Sequence, residues 1–368
     1  MDRIKAGLIG CGNISGIYAK NCTERFNNIE LIACADLVRD KAEKLAHEYN
    51  IPVVCTVDEL LDMPEIDLVL NLTVPSAHFE ISYRALESGK HVYSEKPLAI
   101  NRKDGLKLLN LATKKGLYLG CAPDTFMGGA LQTARKLLDD GWIGRPVGAT
   151  AFMMGVGPET WHPSPDFFYK TGGGPLFDMG PYYLNALINL FGPVKRISGT
   201  AKISFPYRVI TTGHRYGEKI ECEVPTHVSS VLDFKSDVVV TMIMTFDTCG
   251  STLPHIEIYG QEGTLSLPDP NYFGGRIQIK RKGMDEWEEL PLLFGFTDNS
   301  RGIGIADMAN SIKTGSKNRA NGEMAFHVLD IMQGIYDASE KNSYYIPISS
   351  CVRPEPLPKD LEKLVCKS

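Results

Sequence analysis

Residues 4–15, Ile-Lys-Ala-Gly-Leu-Ile-Gly-Cys-Gly-Asn-Ile-Ser, decide how the rest of this chain is read. Ile4 to Ile9 is an apolar run of strand length, Gly10-Cys11-Gly12 closes it, and a helical pattern follows to about Phe26. A strand that ends in glycines and opens into a helix begins a βα unit. Gly10 permits a tight turn, and Gly12 lets a pyrophosphate approach the helix start, where free N–H groups and the helix dipole favour an anion. The third position of a G-x-G-x-x-G pattern is Ser15 here, with Gly16 one step late. Serine is small enough for close helix–strand packing, so the departure is mild. A second apolar run, 30–35, ends at Asp36. A carboxylate there can accept hydrogen bonds from ribose hydroxyls and repel a 2′-phosphate, which favours NAD over NADP. Its other reading is an N-cap for the next helix. Arg39, three residues on, could pair with a phosphate and weakens the preference for NAD.

Outward from this turn, strands and helices alternate. Lys41 to Tyr49 is helix-like, 52–55 strand-like, 66–72 β-rich, His78 to Ser88 helical, 90–94 strand, Arg102 to Lys115 helix and 117–121 strand. Such alternation predicts right-handed βαβ units and a parallel, doubly wound sheet over residues 1–123. Beyond Pro123 one helix, about 128–140, precedes longer β-rich stretches at 146–155, 194–204, 226–235, 237–247, 255–260, 263–267 and 275–281. Alternation in Val238 to Met244 suits an antiparallel sheet. Two helices, about 303–315 and 322–341, follow, and a Pro-rich tail from Pro347 reads as an extended strap. The expected fold is α/β: an N-terminal Rossmann domain (1–123), an α+β domain with an open, largely antiparallel sheet (124–346), and a strap (347–368).

Basic residues number 39 and acidic 44, a net charge of −5, which argues against a nucleic-acid or polybasic membrane-surface role. No apolar run approaches the roughly 18–20 residues that span a bilayer. Met1-Asp2-Arg3 leads straight into a strand-like segment, so a cytoplasmic protein is expected. Nine scattered cysteines without a CxxC pair read as buried hydrophobes in a reducing compartment. No metal is expected, because the eight histidines show no ligand spacing. Neither a P-loop nor a GxSxG elbow occurs.

Two further segments fall at strand ends, where open α/β sheets bind ligands. One is Asn71-Leu72-Thr73-Val74-Pro75 with His78, the other Ser94-Glu95-Lys96-Pro97. With the glycine turn and the second sheet domain, these motifs resemble the glucose–fructose oxidoreductase / inositol dehydrogenase / rhizopine-catabolism (Gfo/Idh/MocA) family over nearly the whole chain. The resemblance implies that Lys96 sits between nicotinamide and substrate, with Glu95 on the cofactor side. The implied cofactor contacts are Gly10, Gly12, Asn13, Ile14, Asp36, Arg39, Asn71, Thr73, Pro75, His78, Glu95 and Lys96. The chemistry agrees, since a cation beside a reacting hydroxyl stabilises the developing alkoxide. Alone, Lys96 would read as a solvated strand-end lysine.

A second constellation, Gly172-Gly173-Gly174 through Asp178, Gly180, Pro181, Tyr182 and Tyr183, resembles the family's Gly-Gly-Gly…Asp-x-Gly-x-His helix. Asp178 and Tyr182 share a face if the helix is continuous, although Pro181 would kink it or mark its first turn. Tyr182 stands where many members carry histidine; glucose–fructose oxidoreductase is similar in having tyrosine. A phenol titrating near 10 needs a neighbouring cation to act as acid/base, and Lys96 is the candidate. The expected catalytic set is thus Lys96, Tyr182 and Asp178, while Tyr183 reads as core. Asp124, Trp161 and His162, with Asp178 and Tyr182, are expected on the substrate. Arg301 and Asp307 are weaker candidates, and His327 reads as a core histidine. The resemblance implies an NAD(P)-dependent oxidoreductase acting on a sugar, cyclitol or related polyol. Alternatives are glycoside cleavage by transient oxidation–elimination, or a non-catalytic dinucleotide sensor. A homodimer or homotetramer is expected.

Overall fold

The computed structural model describes residues 3–367; Met1, Asp2 and Ser368, at the ends of the expected first domain and strap, lie outside the described residues. The chain divides into two compact units. The first takes residues up to Gly128, Gly295–Phe326 and the tail from Glu355; the second takes Gly129–Phe294 and His327–Pro354.

In the first unit, β1 (Ile4–Ile9), β2 (Ile29–Ala35), β3 (Val53–Val54), β4 (Leu68–Asn71), β5 (His91–Ser94) and β6 (Leu119–Cys121) form a parallel sheet in the order β3-β2-β1-β4-β5-β6. Helices α1 (Ser15–Lys20), α2 (Arg39–Tyr49), α3 (Val57–Asp62), α4 (Pro75–Glu87) and α5 (Arg102–Lys115) connect the strands. Every residue of β4 is buried, as a parallel strand covered on both faces requires. Leu60, Val69, Leu86, Val92, Leu108 and Leu119 belong to one buried cluster that seats helices on this sheet. Local signals set the helix ends: Thr56 and Glu59 form a capping box on α3, Asn101 caps α5, and Gly116 stops α5 at φ +67°. Strand order reverses between β1 and β4, so the crevice for a ligand opens at their carboxyl ends.

In the second unit, α6 (Gly129–Asp139) leads to β7 (Pro146–Met154), and α7 (Gly174–Phe191) precedes β8 (Val194–Lys202). Then come β9 (Tyr207–Val209), β10 (Lys219–Glu221), β11 (His227–Phe234), β12 (Val239–Thr245), β13 (Ile256–Gly260), β14 (Gly263–Leu267), β15 (Ile277–Arg281) and β16 (Glu288–Leu290). Among the described residues, an eight-stranded sheet runs β16-β15-β14-β13-β7-β12-β11-β8, and its β7–β12 pair is parallel while the rest are antiparallel. Val240, Met242 and Met244 are buried where α7 packs on β12, while Val239 and Thr241 face outward. The ribbon of β9 and β10 stands apart from this sheet. It and β16 are too short to be visible in the sequence pattern.

The chain then forms α8 (Ile303–Thr314), α9 (Gly322–Glu340) and α10 (Leu361–Val365). The second domain is therefore not the unbroken 124–346 that periodicity suggests. Residues 295–326 belong to the first unit because Asp124 accepts hydrogen bonds from Gly302 and Gly304, and Gly120 pairs with Asn321. The tail is not wholly extended: α10 interrupts it, and Asn27 N–H donates to Val365 O at 2.8 Å. Among the described residues, no helix is long and apolar enough to cross a membrane, and no group of three His, Cys, Asp or Glu side chains could hold a metal.

Candidate active site

The glycine turn leaves β1 under tight constraint. Gly10 has φ +99°, and a Cβ there would stand 2.6 Å from the Leu72 carbonyl. Cys11 N–H donates to Asp36 Oδ2 at 2.7 Å, and Val38 N–H donates to Asp36 Oδ1 at 2.8 Å. Asp36 is thus oriented at the end of β2. It does not cap α2, whose N-cap is Val38 without a side-chain bond. Ser15 is buried and its hydroxyl donates to Gly12 O at 2.6 Å, so serine replaces the third glycine without opening the packing. A Cβ on Gly12 would meet nothing within 4 Å, and no side chain caps α1. Open space over an uncapped helix start, beside an oriented carboxylate, fits a dinucleotide. A cavity of about 310 Å³ borders the turn, lined by Gly12, Asn13, Lys41, Lys44 and Tyr49 among others. The two lysines are candidates that the motif does not reveal; their signal is i, i+3 spacing on the helix after Asp36. Arg39, by contrast, is exposed and pairs with Glu43.

Asn71 and His78 are buried and bonded to their own loop and its neighbour. Asn71 is fully buried; its amide donates to His78 O at 3.0 Å and Ser82 Oγ at 2.9 Å, and its Oδ1 accepts from the Thr73 hydroxyl at 2.7 Å. His78 is 1% exposed, with Nδ1 2.7 Å from Pro97 O and Nε2 2.9 Å from Thr73 O. Burial pushes its pKa down, so a neutral ring donates to one carbonyl at a time. Asn71 ties the 71–78 loop to itself and to Ser82, and His78 holds it against Pro97. Thr73 and Pro75, the first residue of α4, stay partly open.

Glu95 is buried and doubly held: Tyr18 O–H donates to Oε1 at 2.8 Å, and the Lys96 backbone N–H donates to Oε2 at 2.9 Å. Burial, reinforced by Glu95, pushes the Tyr18 phenol well above its usual value and keeps it a donor. Tyr18 carries no motif, and only its place on the inner face of α1, three residues after Ser15, hints at this work. Lys96 follows two residues beyond the end of β5 and is half-buried.

Asp124 is 1% exposed, and its Oδ2 accepts from Gly302 N–H at 2.8 Å and Gly304 N–H at 3.0 Å, which caps the start of α8. Burial pushes its pKa up to about 6 against the pull of these two donors. Asp307 is buried in an ion pair with Arg319, and Arg301 donates to Asn299 Oδ1 at 2.8 Å.

In the second unit, α7 runs unbroken from Gly174 through Pro181 to Phe191. Pro181 is interior, neither an end nor a break, and leaves the Phe177 carbonyl without its usual helical donor. Asp178 and Tyr182 therefore lie one turn apart on one face. Tyr182 is buried, and Tyr183 O–H reaches Phe152 O at 3.1 Å and His255 Nδ1 at 2.9 Å as a core residue. Trp161 is 61% exposed, edge-on to His162 and Phe168 at ring distances of 5.5 and 6.1 Å. His162 Nδ1 accepts from Ser164 N–H at 3.0 Å.

His327 is a core histidine. Its Nε2 accepts from Val194 N–H at 3.0 Å, and its Nδ1 lies 2.9 Å from Ser349 Oγ, which donates to Asp330 at 2.7 Å. Burial pushes its pKa down to about 4. The unfolded chain takes up this proton near pH 6.5 and the folded chain only near 4. Stability from this site is thus complete above pH 6.5 and falls by roughly 3 kcal/mol as the pH drops through that window. Urea midpoints measured between pH 7 and 4 should fall for the wild type and fall less for His327→Gln; equal slopes would count against this assignment.

Two family models together match most of the chain. Residues 4–122 match an oxidoreductase family with an NAD-binding Rossmann fold, and residues 131–266 match the GFO/IDH/MocA C-terminal domain. The chain belongs to the GFO/IDH/MocA oxidoreductase family. Among its relatives, it is 32% identical over 194 residues to a dTDP-3,4-didehydro-2,6-dideoxy-alpha-D-glucose 3-reductase from Saccharopolyspora spinosa, covering 52% of this chain and 57% of that protein. It is 29% identical over 152 residues to an inositol 2-dehydrogenase/D-chiro-inositol 3-dehydrogenase from Lactiplantibacillus plantarum, covering 39% and 42%. The chain spans about half the length of the curated relatives it matches. A levoglucosan dehydrogenase solved with NADH and L-sorbose shares the fold at TM-score 0.80 and 19% identity, covering 95% of this chain and all of that one.

Proposed function

We propose that this GFO/IDH/MocA chain moves a hydride between nicotinamide and a carbinol carbon of a sugar, cyclitol or related polyol, with NAD preferred to NADP. The observation that carries the reading is the doubly held Glu95, which fixes the backbone of Lys96 at the mouth of a Rossmann crevice. A bound dinucleotide supplies the hydride chemistry; the chain supplies placement and electrostatics. Gly10, Gly12, Asn13 and Ile14 would cradle the pyrophosphate, and Asp36 the adenosine ribose. In this reading Tyr182 takes or gives the hydroxyl proton, Lys96 polarises that oxygen and lowers the phenol pKa, and Asp178 holds a neighbouring hydroxyl. Trp161 offers an apolar face to sugar C–H groups, with His162 beside it. The relatives' names support the substrate class without fixing the sugar.

The test is a panel of inositols, levoglucosan and common aldoses with NAD and NADP, followed anaerobically at 340 nm. Steady accumulation of NADH with at least one polyol is expected, at about tenfold higher kcat/KM with NAD. Binding of NADH with no reduction across the panel would overturn the reading. The proposal includes a homodimer or homotetramer, which light scattering would measure.

A further inference from the structure

Arg208, on the short strand β9, sits where no motif draws attention, yet it joins three segments of the second unit. Its Nε donates to Glu159 Oε1 at 2.8 Å, its Nη1 to Asp247 Oδ1 at 2.8 Å and its Nη2 to Phe246 O at 3.0 Å. The Arg208 side chain is 11% exposed, and those of both carboxylates are 6% exposed. Each carboxylate has a further donor: Tyr169 O–H to Glu159, and Thr226 O–H to Asp247 at 2.7 Å. Thr211 N–H adds a bond to Glu159 O at 3.0 Å. Glu159 belongs to the single turn Pro158–Thr160, and Trp161 and His162 bond back to Pro158 O at 3.2 and 2.8 Å. A Cβ on Gly157 would lie 2.8 Å from the guanidinium, so the loop closes tightly over it.

We infer that Arg208 is a positioning residue that fixes the Trp161-His162 loop for polyol binding. This rests on the reading above that Trp161 and His162 meet the substrate. The physical reason is charge. Two buried carboxylates share one guanidinium, and its fork supplies fixed donors that a point charge cannot reproduce. Without it, Glu159 and Asp247 face each other across a dry space, and the loop segment carrying Glu159 leaves for water. Trp161 is two residues from that anchor and moves with it. The aromatic contacts of Trp161, His162 and Phe168 do not replace it, since Phe167 and Trp161 are already more than half exposed.

The experiment compares Arg208→Met, Arg208→Lys, Glu159→Gln and Trp161→Ala in the full chain, using the polyol of the panel that turns over fastest. For Arg208→Met the expected result is a KM for that polyol raised about tenfold, kcat within about threefold and unchanged NADH affinity. Amide exchange over 158–169 should quicken, and Arg208→Lys should recover part of both effects. Glu159→Gln, which removes one charge and keeps the side chain's shape, should move KM the same way by a smaller factor, and it carries the test if Arg208→Met does not fold. If Trp161→Ala leaves KM unchanged, or no polyol turns over, the substrate reading fails. If Trp161→Ala raises KM while the Arg208 and Glu159 variants leave KM or loop exchange untouched, the positioning role fails and that reading stands.

Discussion

Lys96→Ala is expected to lower kcat/KM by about 10²–10⁴-fold, with NADH affinity within a few-fold of wild type. The size follows from what the proposed mechanism assigns to the side chain: a cation beside the oxygen where negative charge develops. The loss should fall mainly in kcat, because the interaction strengthens only as the proton leaves. The bond from the Lys96 backbone N–H to Glu95 Oε2 and that from Tyr18 O–H to Oε1 do not involve the Lys96 side chain, so truncating it leaves both in place. Stopped-flow NADH binding and steady-state kinetics check the two halves separately. Turnover near the wild-type value would remove the lysine from the mechanism.

Tyr182→Phe is the second large effect, with kcat expected to fall about 10²–10³-fold and KM to change little. The ring stays, so the packing of α7 is kept, and what is lost is the oxygen to which the proposal assigns the proton exchange. A phenol ordinarily titrates near 10, so under the proposed mechanism its use near neutrality calls for a cation, the role assigned to the lysine. The pH profile of kcat should therefore lose its limb for this group in Tyr182→Phe, and the limb should move upward in Lys96→Met. An unchanged profile in both variants would mean that another group carries the proton. Tyr183→Phe is the comparison: it loses bonds to Phe152 and His255, and should alter stability more than rate.

Much of the fold is legible in the sequence, and the reasons are local. Gly10, Gly12 and the strand they close produce the turn by sterics within a few residues, and alternating periods give the parallel sheet. The 295–326 segment was beyond such reading because its place depends on Asp124 meeting backbone N–H groups about 180 residues away, a pairing that no period records. The same gap hides internal bonds at the expected site: Asp124, Asn71 and His78 follow strand ends, where ligands bind, and each also meets a backbone partner in the interior. Tyr18 and Arg208 went unseen for the opposite reason: their types are ordinary in their segments, and only the carboxylates beside them give them work.

The return of residues 295–326 and 355–367 to the nucleotide-type unit has a consequence for how this gene can be cut and recombined. A fragment ending at Gly128 would carry all six parallel strands but lack the helix whose amides Asp124 serves and the segment that pairs with Gly120. Its carboxylate would be stranded and an apolar side laid bare, so such a fragment should aggregate on expression. Exchange of substrate modules between homologues must instead keep both flanks, grafting only the insert between 129 and 294 and its shorter companion at 327–354.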